Sequence, residues 1–462
     1  MYFIIIKIGV SLHRFLEIFK MNKIKYKKGW FLVFILLCFF FSGFSQDIIH
    51  RRLSIDEITK LALENNQALK VSRKSVEIAQ QQTELYKQNQ LPNLSFDASA
   101  MYLGDVVLLD KHFSKQTTID MPHFGNTFSV MAQQVIYKGK ILKNTIELGT
   151  LQEKLAGLKL KNDKLSIQFL VIANYLDLYK LYNQKQVYLE NVKLAEKRIE
   201  NVNNFYEQGM VTRNEIIRGD LLLASLNQAV VTIDNNISIL NHQLTTALGL
   251  SANTMIIPDD EILTLNTSLY GLEYYKEDAL TNHPDIQSVQ VQKDLIQKNL
   301  EITKAAIFPT IAGFTGYNMQ RPLTSTSPVL DLYGNSWQVG VSLSFDIGSL
   351  YKNPKKVAFD QIRLNQVNDL EILEKQNLEV KVNAAYLKYN EAVSQRKTYL
   401  ESKRLATENY KIIEHKYLNQ LALVVDMLDA SNSKLDAELQ YVNSEINIIY
   451  TYYSLLKTIG KL

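Results

Sequence analysis

Apolar residues recur along much of this chain at alternating spacings of four and three. One series runs Leu151, Leu155, Leu158, Asn162, Leu165, Phe169, Ile172, Leu176 and Tyr179. A shifted register resumes with Tyr188, Val192, Ala195, Ile199, Val202 and Tyr206. A second series follows with Leu223, Leu226, Val230, Ile233, Ile237, Leu240, Leu244 and Ala247. Near the C-terminus, Leu428, Asn432, Leu435, Leu439, Val442, Ile446, Ile449, Tyr453 and Leu456 repeat the pattern. Spacing of 3.5 sustained over many turns predicts helices packed as coiled coils. A helix from about Ile141 to Gln208 would be ~100 Å long at 1.5 Å rise per residue, several times the width of a small domain. Such helices must protrude as hairpins, and Gly209 fits the end of the first.

Four shorter segments alternate with period two. In 336–346, Trp337, Val339, Val341, Leu343 and Phe345 face one way, and Gln338, Gly340, Ser342, Ser344 and Asp346 the other. In 94–102, Leu94, Phe96, Ala98, Ala100 and Tyr102 alternate with Ser95, Asp97, Ser99 and Met101. The segment 126–137 is weaker, with Gln134 on its apolar face, and 310–320 is the least clear. These patterns predict strands with one apolar and one polar face. A soluble sandwich is one use for them. The other is a membrane barrel, but four strands cannot close one alone. Three identical chains would supply twelve.

The two kinds of pattern occur twice. Residues 61–93 align with 278–310 at an offset of 217, with Ala62/Ala279, Leu63/Leu280, Asn65/Asn282, Gln80/Gln297, Glu84/Glu301, Lys87/Lys304 and Pro92/Pro309 identical. Residues 126–144 align with 335–353, sharing Gly139/Gly348, Lys143/Lys352 and Asn144/Asn353, and Tyr206 and Gly249 match Tyr417 and Gly460. The expected first repeat is 46–260: a helix, a strand pair 93–138 and a long hairpin 141–250. The expected second is 261–462: a helix, a strand pair 310–347 and a hairpin 355–460. Proline is absent from 123–257 and from 355–462, which leaves both hairpins free of helix breakers.

Composition alters this picture at the N-terminus. Trp30–Phe41 is an apolar run preceded by Lys23, Lys25, Lys27 and Lys28 and followed by Ser42-Gly43-Phe44-Ser45. That reads as a secretory signal over 1–45, cut before Gln46, with Met21 as an alternative start. Twelve residues are too few to span a bilayer. The formal charge of +4 belongs to this leader: without its seven basic residues and one acid, 44 basic face 46 acidic residues. No basic field points to nucleic acid. The single cysteine, Cys38, lies inside the leader. No later segment offers 18 uninterrupted apolar residues, so a mature chain that crosses a membrane must do so as a closed barrel.

The repeat order, the strand pairs and the hairpins together resemble the TolC-like outer-membrane efflux proteins over about 53–460. The most specific strings are Tyr206-Glu-Gln-Gly-Met-Val-Thr212 and the stretch from Tyr417 through Asp426 to Ala430. The resemblance implies an α+β membrane protein. A homotrimer would build an all-α coiled-coil helical barrel in the periplasm and a shared transmembrane β-barrel of four strands per chain, twelve per trimer. Segments 104–125 and 321–334 would be external loops, and 251–283 part of a belt. The chain would be a passive, gated exit duct for small molecules. Its partners would be outer-membrane lipid, a periplasmic adaptor (membrane fusion) protein and an inner-membrane RND-type pump or ABC exporter. A duct for type I protein secretion is the near alternative. A soluble periplasmic coiled-coil scaffold is the alternative of another class.

The resemblance also names residues. Tyr417 matches a gate tyrosine, and Asp426 and Asp429 match carboxylates that ring a narrow entrance. Their spacing of three puts both on one helix face, although an acid near a helix start also serves the dipole. Asn214 and Glu215 hold the place from which the first hairpin bonds to the second. Ala422 stands where some members carry an arginine, so that link cannot be carried over. Gly209, Met210 and Val211, with Gln420, Leu421 and Ala422, form the two tips that would meet the adaptor. No H-E-x-x-H, phosphate-cradling loop or nucleophile elbow occurs, and no enzyme activity, cofactor or metal is expected. His112 and His123 share their loop with Asp105, Asp110 and Asp120, which ordinary loop polarity explains.

Overall fold

The computed structural model describes residues 49–259, 262–263, 269–326 and 328–462; the expected leader lies outside them. In chain order the elements are β1 (Ile49–Leu53), α1 (Ile55–Asn65), α2 (Gln67–Gln88), β2 (Asn93–Tyr102), β3 (Val106–Leu109), β4 (Lys115–Ile119), β5 (Phe124–Lys138), α3 (Ile141–Glu207) and α4 (Arg213–Leu248). There follow β6 (Thr254–Pro258), α5 (Leu272–Asn282), α6 (Pro284–Ala305), β7 (Thr310–Arg321), β8 (Gly334–Ser344), α7 (Ser349–Leu418) and α8 (Val424–Thr458). The helices α3 and α7 hold 67 and 70 residues, which makes each about 100 Å long.

Strands β2, β5, β7 and β8 form one antiparallel sheet in the order β2-β5-β7-β8. Its register carries each strand's apolar face to the same side. Phe96 pairs with Val130, Val130 with Tyr317, and Tyr317 with Trp337. One row below, Leu94, Ala132, Thr315 and Val339 align. The opposite face aligns Asp97, Ser129, Asn318 and Ser336. The apolar face is bare: Trp337 is 77% exposed and Val339 72%. Gln134, out of place there, donates to the Gln90 and Val135 carbonyls at 2.9 and 3.1 Å. The blurred alternation of β7 has a local cause. Phe314 lies on the polar face against Gly340, whose missing Cβ would stand 2.8 Å from the ring.

The helices belong to two hairpins, α3–α4 and α7–α8. Their main core lies around β1 and β6, which pair as a small sheet. Val171, Tyr175, Leu178, Ile237, Leu244, Ile256 and Ile446 are buried there. The Tyr175 hydroxyl donates to the Leu53 carbonyl at 2.5 Å and accepts the Asp259 amide at 2.8 Å, so one side chain fastens both strands to α3. Burial pushes its phenol up to about 12. Equivalent positions of the two halves cap equivalent helices: Asn66 accepts from the Ala68 amide at 2.9 Å, and His283 from the Asp285 amide at 3.2 Å.

Two boundaries depart from the sequence reading. Helix α7 starts at Ser349 rather than after Pro354, which sits in its second turn. Asp346 makes that start. Its carboxylate accepts the Gly348 amide at 2.9 Å, and its carbonyl accepts the Ser349 hydroxyl at 2.6 Å. The expected loop 104–125 folds in part as the β3–β4 hairpin. Its polar residues serve the turns: Asp110 accepts the His112 and Ser114 amides at 2.8 and 2.9 Å, and His123 stacks on Tyr102. Helix α4 is long and apolar enough to cross a membrane by length and composition. It nevertheless buries Leu226, Ile233, Ile237 and Leu244 within its hairpin.

Candidate functional site at the hairpin tips

The two tips are built on one backbone plan. Gly209 has φ +72° and Gln420 φ +63°, both left-handed. The Met210 amide donates to the Phe205 carbonyl at 2.9 Å, and the Leu421 amide to the Lys416 carbonyl at 2.7 Å. Gly209 meets the geometry without a side-chain clash; Gln420 holds it despite its Cβ. The turns touch, since Gln420 Nε2 lies 3.1 Å from Met210 Sδ. Met210 and Leu421 are exposed, Leu421 by 77%. Val211 and Ala422 instead turn inward against the tip core.

That core consists of Val202, Tyr410, Tyr417 and Met427, with Phe205, Ile216 and Ile413 at its margin. Tyr417 is 6% exposed and meets the Phe205 ring edge-on at 6.2 Å. Its hydroxyl has no hydrogen-bond partner, and neither has buried Glu215 Oε2. Tyr417 and Glu215 Oε2 therefore make no hydrogen bond to each other. The groups still feel one another: burial pushes the Tyr417 phenol up, the Glu215 charge adds to that, and Arg198 opposes it. Burial likewise raises the Glu215 carboxyl, against the attraction of Arg218. Asn214 is exposed.

Arg198, on α3, links the two hairpins. It is 8% exposed. Its Nη2 donates to Ser431 Oγ at 3.1 Å and reaches the Tyr410 hydroxyl at 3.4 Å. Tyr410 donates onward to Glu414 at 3.0 Å. The other guanidinium nitrogens, Nε and Nη1, are buried without a partner. The residue was hidden in the sequence because the 4-3 series ran through Ile199. The structure turns Ile199 onto Gly219 of α4, whose Cβ would come within 2.9 Å of it, and sends Arg198 toward α7 and α8. A basic residue beside a heptad position was the available signal.

Asp426 and Asp429 are both exposed near the start of α8. Asp426 accepts the Leu423 amide at 3.0 Å, closing the helix start. This capping bond occupies one of its two oxygens. The site thus offers a packed closure between hairpins, an arginine with spare donors, and two outward carboxylates one helical turn apart. No group of three or more potential metal-ligating side chains occurs among the described residues.

Residues 276–461 match the family described as outer membrane efflux protein. The chain is 21% identical over 356 residues to the outer membrane efflux protein BepC of Brucella suis biovar 1 (strain 1330), covering 73% of this chain and 72% of that protein. Its fold is similar to that of CusC, with TM-score 0.74, 16% identity, and 88% and 92% of the two chains covered. VceC of Vibrio cholerae gives TM-score 0.72, 14% identity and coverage of 88% and 96%. The open-state MtrE channel of Neisseria gonorrhoeae gives 0.68, 16%, and 88% of each chain.

Proposed function

We propose that this chain is a TolC-like protein of the outer membrane, and that three copies of it close into the exit duct of an efflux system. The observation that carries the reading is that each protomer is left open along one continuous seam. The sheet ends in two unpaired edges, β2 and β8. An even number of antiparallel strands lets β8 of one copy pair antiparallel with β2 of the next, and closure removes both edges. The same seam runs on into the helices. Helix α2 leads into β2, and Val71, Ile78 and Leu85 stand exposed on it at intervals of seven. Helix α7 follows β8, and Phe359, Leu373, Val380 and Leu387 stand exposed on it at multiples of seven. Two unpartnered heptad stripes beside two unpartnered strand edges suit one joint repeated by three-fold symmetry.

In that assembly the apolar sheet face meets lipid, and the row of Asp97, Ser129, Asn318 and Ser336 lines water. The packed tips at the far end of the helices form the gate, held by Tyr417, Arg198 and the Glu215 region. Exposed Met210 and Leu421 suit docking to a periplasmic adaptor, and the driving energy comes from an inner-membrane pump. Asp426 and Asp429, repeated three times about the axis, make a cation-selective ring. The test is bilayer recording on the purified assembly together with its mass in detergent. A trimer with cation-preferring single-channel conductance is expected. Asp426→Asn with Asp429→Asn should abolish block by multivalent cations added from the tip side. A water-soluble monomer without conductance would overturn the proposal.

A further inference from the structure

A recess of about 370 Å³ lies at the base of the sheet, between the start of α3 and the end of α6. Four lysines line it: Lys140, Lys143, Lys298 and Lys304. Only two carboxylates, Glu147 and Glu301, stand among them. Both are already engaged. Lys298 bridges Glu147 at 2.8 Å and Glu301 at 2.9 Å, and Lys143 approaches Glu147 at 3.8 Å. The hydrogen bond from Lys298 holds the Glu147 carboxyl below its ordinary range. Lys140 and Lys304 are exposed and have no carboxylate partner among the described residues. The recess therefore keeps an uncompensated double positive charge.

Its position is equally particular. Lys140 follows β5 by two residues, and Lys138 of β5 pairs with Thr310, where β7 begins. The recess thus sits directly beneath the strands. Exposed Phe308 forms part of its wall. Exposed Ile136 reaches over Gly313, on the apolar side of the sheet. A cationic pocket thereby continues into a bare apolar surface.

We propose that this recess seats the headgroup phosphate of an anionic phospholipid from the periplasm-facing leaflet, with an acyl chain along Phe308 and Ile136. The proposal rests on the sheet being a membrane wall. The charge surplus favours a headgroup that brings no ammonium of its own. The apolar continuation favours a lipid over free phosphate, because free phosphate has nothing to lay there.

The test uses the detergent-solubilised full-length assembly and native mass spectrometry, with phosphatidylglycerol or phosphatidylcholine of identical acyl chains as probe. The native protein should retain phosphatidylglycerol about fivefold or more over phosphatidylcholine. Lys140→Gln with Lys304→Gln should abolish that preference, and Lys140→Arg with Lys304→Arg should keep it. Equal retention of both lipids by the native protein would overturn the proposal. So would undiminished preference in the glutamine pair, or displacement of the lipid by millimolar inorganic phosphate, which would make free phosphate the occupant. Conductance of the same preparation separates the two readings. A conducting trimer without lipid preference defeats only the recess, whereas loss of conductance and assembly in the native protein defeats the channel.

Discussion

Arg198 places a full charge between two hairpins with Ser431 and the Tyr410 hydroxyl as its hydrogen-bond acceptors. Two of its nitrogens find nothing, so its burial costs stability that its hydrogen bonds only partly return. A link of this kind fixes which surfaces meet more than it strengthens their meeting. Arg198→Met should therefore leave thermal stability unchanged or raise it by ~1 kcal/mol, while single-channel records show more frequent opening. A large drop in melting temperature would mean that the arginine serves packing instead. Glu215 adds a pH dependence. Burial raises its carboxyl above the ordinary value, so the folded tip binds a proton more tightly than the unfolded chain. Stability is then greatest in acid and falls as pH rises from the ordinary carboxylate range through the raised value. Melting curves across that window should slope downward for the native protein, and Glu215→Gln should flatten the slope.

Among the elements, the long helices were the most legible, because a 3.5-residue period sustained over about eight turns has no other explanation. Helix α3 runs Ile141–Glu207, against an expectation of about Ile141 to Gln208. What hid from the sequence was whatever broke an average rule for a local reason. Pro354 marked a helix start, yet Asp346 nucleates α7 a turn and a half earlier. Phe314 blurred a strand because it fills the space of Gly340. Of the series read for α8, Ile446 and Ile449 are buried, but Ala430, Ala437, Ser444 and Thr451 add a second buried row at intervals of seven. Small residues let the neighbouring helices approach, and apolar counting passes over them. The packing of the tip side chains was least legible of all, since it depends on which way α3 is rotated by one residue. Tyr175 tests how far one side chain ties elements together. It holds β1 through the Leu53 carbonyl and the end of β6 through the Asp259 amide. Tyr175→Phe keeps the ring and leaves those backbone groups short of a partner. It should destabilise by about 1–3 kcal/mol and raise hydrogen exchange in 49–53 and 254–259 ahead of the rest.

At the scale of the whole molecule, the protomer buries a core at mid-helix and at the tips but leaves its two flanks apolar and bare. A soluble scaffold would have reason to cover them with charge. Here Val71, Ile78 and Leu85 stand exposed at intervals of seven, on the helix that buries Leu69 and Thr83. Ile78→Asp separates assembly from folding. Ile78 is 69% exposed in the single chain, so the carboxylate meets water there and the protomer should keep its helical circular dichroism and melting behaviour. If α7 of a second copy covers this stripe, the same carboxylate is buried without a partner, at a cost of several kcal/mol, and three-fold symmetry repeats the cost at every joint. The variant should therefore run as a monomer in detergent and lose conductance while remaining folded. Leu226→Asp, at a position buried within the α3–α4 hairpin, should instead unfold the protomer. A trimer that survives Ile78→Asp would show that the bare flank is not the joint, whatever closes the sheet above it.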